Sequence, residues 1–383
     1  MRGHIEKRGE DRYRILIDQG RDARGKRKRL SRTVWGSRKK AEAELATLLG
    51  EIHGGTYAEP TALTVREYLE RYLDHARANV APQTYRRYKQ IVERDLVPGL
   101  GHLKLSALTP FYIQTFLANS LERKCKTRDA KLSPQTVRHF YRVLNRALNL
   151  AVRWQLISRN PCDLVDPPRV EEKEMTVLAD EKEVGKLMAA VGGSRLYLPV
   201  VLALTTGMRR GEILALRWQD VDYKTGECRV ARSLQETPEG LSYKVPKTRK
   251  GRRVVLLPQL ALAAIKAHQA VQNEEKLLIG TAYQDEDLII CRPDGTPWPL
   301  AEFSSVYRRT ARRGGVSARF HDLRHTHASH LLKESVPVHV VSERLGHANS
   351  SITLNVYAHV LPTQQQEAAA KIDAVWGKVI GGS

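Results

Sequence analysis

The sequence predicts a multidomain, mainly helical protein: a small α+β module, an all-α segment, then a mainly α domain with a small antiparallel sheet. Three observations predict it. "YRILID", residues 13–18, alternates apolar and polar residues with the period of a half-buried strand. From 61 to 165 no such alternation recurs, while helix-start signals do. After a proline-rich break, short β-branched runs around glycine-containing turns sit among amphipathic stretches.

In the first module, residues 1–57, a second strand is expected over 30–34, after the basic turn "RDARGKRKRL". Ser37 can cap a helix that carries Ala41, Leu45, Leu48, Leu49 and Ile52 on one face, and Gly54 and Gly55 end it. A linker around Glu59 and Pro60 leads to the segment 61–165. There Thr64 and Glu67 fit a capping box. "APQTYRRYKQIV" and "SPQTVRHFYRVLNRALNLAV" each put proline at the first helical position, where its missing N–H costs nothing. In the second of these helices Val137, Leu144, Leu148 and Ala151 can face a core. Arg138, Arg142 and Arg146 recur every fourth residue and stack on one face.

"NPCDLVDPPRVEEKE" cannot continue a helix and marks a domain boundary. The last domain, 175–383, opens with Asp180 and Glu183 as a second capping box. "YLPVVLALTTGMRRGEILALRW" reads as two helices broken at Gly207. "GECRVARSL" and "YKVPKTRKGRRVVLLP" supply the sheet. Helices follow over 258–278, 300–313 and "HDLRHTHASHLLKE", then "PVHVVSERLG" and "SSITLNVYAHVL". Gly346 ends the first of this closing pair and Ser350 or Ser351 can cap the second. The tail "PTQQQEAAAKIDAVWGKVIGG" reads as a short amphipathic helix with Ala370, Ile372, Val375 and Trp376.

The formal net charge is +21, which points to a polyanionic partner, nucleic acid first and an anionic membrane second. The excess is uneven: residues 1–60 carry +6 and residues 61–165 carry +10. Candidate DNA contacts are therefore Arg24, Lys26, Arg27, Lys28 and Arg29 in the basic turn, and the Arg138, Arg142 and Arg146 stripe, whose planar forks suit phosphate. No apolar run is long enough for a transmembrane helix, and the N-terminus lacks the apolar core of a signal peptide. Cys125, Cys162, Cys228 and Cys291 form no CxxC pair and read as reduced thiols of a cytoplasmic protein.

Breaking a phosphodiester without a metal requires three things. The non-bridging oxygens must be neutralised, which two arginines do through bidentate hydrogen bonds. A nucleophile must attack in line, and the leaving 5′ oxygen needs a proton. If the nucleophile is a side chain, the covalent intermediate retains the bond energy for rejoining. Residues of these types occur in order: Arg209 after Gly207, Lys247 in "PKTRKG", His321 and Arg324 at i and i+3, His347 after Gly346, and Tyr357 on the last helix before the tail.

Together "TGMRRGEILALRW", "KTRKGRRVVLLP", "HDLRHTHASHLL" and "LGHANSSITLNVYAH" resemble, in that order, the tyrosine recombinases of the phage integrase family. The resemblance implies that Arg209 and Arg324 clamp the scissile phosphate and that Lys247 acts as general acid. It implies that His321 assists as acid–base, that His347 hydrogen-bonds the phosphate, and that Tyr357 attacks to form a 3′-phosphotyrosine. Glu212 would orient the site. The family pattern places the catalytic arginine two residues before "GE", favouring Arg209 over Arg210, while Lys244 and Lys250 stay open as alternatives to Lys247.

By the same resemblance, residues 1–57 are similar to an arm-binding module, 61–165 to a core-binding domain, and 175–383 to the catalytic domain. Double-stranded DNA with core-type and arm-type sites, a homotetramer on that DNA, a directionality factor and a DNA-bending host protein are the partners implied. The tail would dock on a neighbouring subunit or pack in cis.

No cofactor is expected. His321 and His325, at i and i+4, could hold a metal, but no glutamate completes HExxH and Arg324 would sit beside the cation. His325, His327 and His330 read as helix packing or surface, and His359 as a bystander. Two rival readings are a type IB topoisomerase and a DNA-binding regulator that kept the fold; the arm-like module weighs against the first and the complete residue set against the second.

Overall fold

The computed structural model of the chain describes residues 3–21, 25, 27–54, 62–125, 129–171, 176–178, 180–237, 239–245, 252–347, 349–357 and 369–376. The chain divides into two compact units, 1–172 and 173–383.

The first unit opens with an antiparallel meander of β1 (Gly3–Gly9), β2 (Arg12–Arg21) and β3 (Arg27–Trp35). β2 is central, pairing Ile5 with Ile15 on one side and Leu30 with Ile17 on the other. Its alternation buries Ile15 and Ile17 against α1 (Arg38–His53), which contributes Ala41 and Leu48. Ser37 caps that helix, accepting from the Lys40 amide at 3.4 Å, and Gly54 ends it. Gly55 and the expected linker lie outside the described residues.

A separate apolar cluster organises the helices that follow: α2 (Val65–Asn79), α3 (Pro82–Ile91), α4 (Val97–Leu100), α5 (Pro110–Glu122) and α6 (Pro134–Arg153). The α2 capping box is present in both directions, with the Thr64 amide donating to Glu67 at 2.7 Å and the Glu67 amide to Thr64 Oγ1 at 3.2 Å. Pro82 and Pro134 open their helices. Val137, Leu144, Leu148 and Ala151 are buried, while Arg142 and Arg146 are exposed and Arg138 is half-buried. The Arg146 guanidinium lies 5.8 Å from the Tyr88 ring centre.

The second unit contains α7 (Glu181–Val191), α8 (Tyr197–Thr206), the single turn α9 (Arg210–Ile213), α10 (Gln259–Ile279), α11 (Leu300–Arg313), α12 (Asp322–Lys333), α13 (Val338–Leu345) and α14 (Ser350–Tyr357). Asp180 accepts from the Glu183 amide at 2.8 Å to start α7. Among the described residues the expected small sheet takes the form of two two-stranded antiparallel ladders: β4 (Glu227–Val230) with β7 (Arg253–Leu256), and β5 (Ser233–Thr237) with β6 (Gly240–Lys244). Ala231 and Arg232 separate β4 from β5. The Arg232 side chain leaves the strand direction, its Nε donating to the Ala215 carbonyl at 2.9 Å and its guanidinium lying 4.0 Å from the Tyr243 ring centre. Residues 369–376 are helical, with Ile372, Val375 and Trp376 exposed.

The molecule is thus mostly helical with small antiparallel sheets. No helix among the described residues is long and apolar enough to cross a membrane.

Candidate active site

Two left-handed glycines shape the site. α8 ends at Gly207, whose φ of 65° turns the chain back. A Cβ there would meet His327 Cδ2 at 2.6 Å and Leu345 Cδ2 at 2.7 Å, so only glycine fits. The turn delivers Arg209 to the start of α9, with Glu212 folded back beneath it. Glu212 is 5% exposed. It accepts from the Arg209 amide and Nη1, both at 2.9 Å, and from Arg253 Nη2 at 2.9 Å and Nη1 at 3.3 Å. Burial works to raise the Glu212 carboxyl, but the hydrogen bonds and charges of Arg253 and Arg209 outweigh it and hold the group below the usual carboxylate range. With one face on this buried carboxylate, the Arg209 side chain still keeps 43% of its surface open. Arg210 points elsewhere and donates to Ser304.

Arg324, on the first turn of α12, is 3% exposed. Its Nη1 donates to the Gly207 carbonyl at 2.6 Å and its Nη2 to the Leu345 carbonyl at 2.8 Å. These carbonyls close α8 and α13, so two negative helix ends face the cation. Among the described residues no carboxylate pairs with it. Burial, then Arg209, pulls its pKa down to about 9, which leaves it charged at neutral pH. A buried cation held only by carbonyls retains the capacity to neutralise an anion.

The second glycine, Gly346, ends α13 with φ 67°. It turns His347 inward, where Nδ1 lies 2.8 Å from Thr353 Oγ1. Burial, then Arg324 and Arg209, push the His347 imidazole down to about 4. The next helix begins at Ser350, and its capping oxygen comes from Asn349, which accepts from the Ser351 amide at 3.0 Å. The expectation that Ser350 or Ser351 caps is therefore corrected by one position: both serines lie inside the helix, and Asn349 is left to satisfy its first amides. α14 brings Tyr357 to the site, 1% exposed, its hydroxyl 2.8 Å from His325 Nδ1. Burial pushes that hydroxyl up to about 12, against the pull of Arg324. His325 stands edge-on to His321, with ring centres 5.1 Å apart. Burial, then His321, drive His325 down to about 4; His321 is lowered by desolvation and Arg324.

The residues expected from sequence therefore fall as follows. Arg209, Glu212, His321, Arg324, His347 and Tyr357 converge, each within the field of another. Lys247, Lys250 and His359 lie outside the described residues, while Lys244 is in β6. Arg24 and Lys26 also lie outside them. Arg27, Lys28 and Arg29 belong to β3, Arg29 being exposed and 3.9 Å from Asp18. His327 and His330 serve packing, bonded to the Leu204 and Leu178 carbonyls.

Two site residues were not read from sequence. His325, expected as packing or surface, is on the Tyr357 hydroxyl. Arg253 bridges Glu212 and the Arg344 carbonyl, the latter at 2.8 Å. The signal for Arg253 is its inward place in "RVVL", a charge where alternation calls for an apolar residue. Among the described residues no group of three or more His, Cys, Asp or Glu side chains could hold a metal ion.

Comparison with known proteins shows the family of the chain. Residues 178–364 match the phage integrase family model, and residues 64–121 match the phage integrase N-terminal SAM-like domain. A tyrosine recombinase XerC-like protein of Caldanaerobacter subterraneus subsp. tengcongensis is 31% identical, over 96% of this chain and 97% of its own length. The Tn1549 transposon integrase in complex with transposon right end DNA aligns with TM-score 0.68 at 20% identity, covering 82% of this chain and 99% of that one. A lambda integrase tetramer bound to a Holliday junction aligns with TM-score 0.52 at 18% identity, covering 90% and 96%. The chain belongs to the phage integrase family and is a tyrosine recombinase, an enzyme of site-specific DNA recombination.

Proposed function

We propose that Tyr357 attacks a DNA phosphodiester and forms a 3′-phosphotyrosine, with Arg209 and Arg324 neutralising the non-bridging oxygens. The observation that carries this is Arg324, a buried cation held by two carbonyls, whose charge already acts on the Tyr357 hydroxyl. His347 donates to the same phosphate, His321 assists proton transfer, and Glu212 orients Arg209. Lys247 supplies the proton to the departing 5′ oxygen. These groups provide charge and proton transfer from side chains, with no cofactor or metal in the scheme.

In this reading residues 1–57 bind arm-type DNA, 61–165 and 175–383 hold core-type DNA, and Arg29 with the Arg138, Arg142 and Arg146 stripe meets phosphates. The transposon and lambda integrase complexes support DNA as partner, and the lambda tetramer supports four subunits exchanging strands. A directionality factor and a DNA-bending host protein would set the direction of integration or excision, and the helix at 369–376 would dock within the assembly.

The test is a nicked suicide substrate that traps the covalent complex. Wild type accumulates an adduct that peptide mapping places on Tyr357, and Tyr357→Phe binds the DNA without an adduct. An adduct that survives in Tyr357→Phe moves the nucleophile elsewhere.

A further inference from the structure

We propose that His325 receives the phenolic proton of Tyr357, so that the acceptor for the attack lies one helical turn beyond His321, on the same face of α12. The inference rests on the reading of Tyr357 as nucleophile.

The buried hydroxyl holds its proton tightly, so attack on phosphorus needs an acceptor already in place. Of the site's histidines, His325 is the one within reach of the hydroxyl. His325 Nδ1 is 2.8 Å from the oxygen, within hydrogen-bond reach, with its ring centre 5.9 Å from the tyrosine ring. His321 meets His325 edge-on and makes no hydrogen bond to the hydroxyl. The contact fits the neutral imidazole with hydrogen on Nε2, in which Tyr357 donates to Nδ1.

The charged and titratable groups around His325 are His321, Asp322, Arg324 and Arg319 from α12 and its approach, His347 from the α13 turn, and Tyr357 from α14. Burial and the cations among them keep His325 neutral before DNA arrives. A phosphate anion bound beside Arg324 offsets that cationic field and makes Nδ1 more basic when the proton must move.

The step balances. The Tyr357 O–H proton passes to Nδ1, giving an imidazolium, while the phenolic oxygen forms the bond to phosphorus. The bond from phosphorus to the 5′ oxygen breaks, and that oxygen takes a separate proton from the general acid. On rejoining, the 5′ hydroxyl returns its proton to that group and the imidazolium reprotonates the departing tyrosine.

Asparagine separates the roles, because its Oδ1 can accept the hydroxyl hydrogen bond near the Nδ1 position but cannot take the proton. The experiment is single-turnover cleavage of a suicide duplex by full-length wild type, His325→Asn and His325→Ala, with DNA affinity and thermal midpoint measured on each. Expected is a loss of about 10²–10⁴-fold in cleavage for both variants at near wild-type DNA affinity. In His325→Asn the rate should rise with pH as hydroxide takes over, while wild type stays flat between about pH 8 and 9, a window chosen above the usual imidazole pKa of about 6.5. A duplex with sulfur in the bridging 5′ position, whose thiolate leaves without a proton, should not restore either variant.

Wild-type cleavage by His325→Asn beside a defective His325→Ala would overturn proton acceptance and leave only positioning. Full rescue by the sulfur substrate would move His325 to the leaving-group side. If wild type itself makes no adduct at Tyr357, the nucleophile assignment fails; an adduct there with wild-type cleavage by His325→Asn sinks this inference alone.

Discussion

Glu212→Gln tests how the site's cations are held. Glu212 accepts four hydrogen bonds on two oxygens, two from Arg209 and two from Arg253. Glutamine has one acceptor oxygen and presents an amide donor to guanidinium donors on the other side. Two charge-assisted bonds are lost, at about 1.5–3 kcal/mol each. Breaking a buried ion pair by removing one partner costs about 3–5 kcal/mol, because the other charge is left uncompensated. Arg253 and Glu212 are both 5% exposed at the side chain, so solvent does little to soften the loss. The expected destabilisation of the second unit is therefore about 3–5 kcal/mol.

Chemical denaturation of the full chain measures it, with hydrogen exchange of peptides spanning 207–216 and 253–257 locating the change. Adding Arg253→Met should recover part of the stability, since the uncompensated cation is removed, while cleavage stays low because Arg209 has lost its support. A loss below about 1 kcal/mol, or wild-type cleavage by Glu212→Gln, would refute the reasoning.

Gly207→Ala should cost about 2–5 kcal/mol from left-handed strain and the two close contacts, measured by denaturation; a cost under 1 kcal/mol would contradict the packing described. Asn349→Ala should lose about 1 kcal/mol and lower cleavage through fraying of α14, read by hydrogen exchange at 350–357. His325, His327 and His347 each have a folded pKa of about 4, below the unfolded value of about 6.5. The unfolded chain therefore binds more protons between those values, and stability should fall as pH drops from 6.5 towards 4. A denaturation midpoint unchanged between pH 7 and 5 would disprove this. Replacing Arg138, Arg142 and Arg146 with alanine should weaken DNA binding and reduce its salt slope by about one unit per lost phosphate contact; an unchanged slope removes the stripe from the interface.

What the sequence made legible was local. Ser37, Thr64 with Glu67, and Pro134 act within four residues, so the helix starts they set could be read directly. Gly207 and Gly346 were legible as breaks because glycine adopts their left-handed backbone angles without the steric cost that other residues meet. Adjacent small polar residues left the start of α14 ambiguous, and the cap fell to Asn349. The two ladders were harder to see, because the pairing of 227–230 with 253–256 and of 233–237 with 240–244 is settled between strands and leaves no local pattern. Arg253 and His325 were missed for a related reason. Their partners lie 41 and 32 residues away, and no spacing rule connects an arginine in a strand to a carboxylate in a distant helical turn. The first strand, "GHIEKRG", has one strongly apolar residue and gains its place by pairing with β2 and by packing Ile5 on the cluster shared with α1.

Arg324 is a cross-brace as well as a charge. Its two nitrogens tie the last carbonyl of α13 to the turn after α8, twelve residues upstream of Tyr357 on one side and two residues upstream of Arg209 on the other. A lysine in its place could reach one of those carbonyls but lacks the planar fork that spans both. The spacing between the two arms of the site and the electrostatics of the site thus depend on one side chain. An inactive Arg324 variant does not by itself report a lost phosphate contact; the same result arises if the two helix ends part and Arg209 and Tyr357 fall out of register.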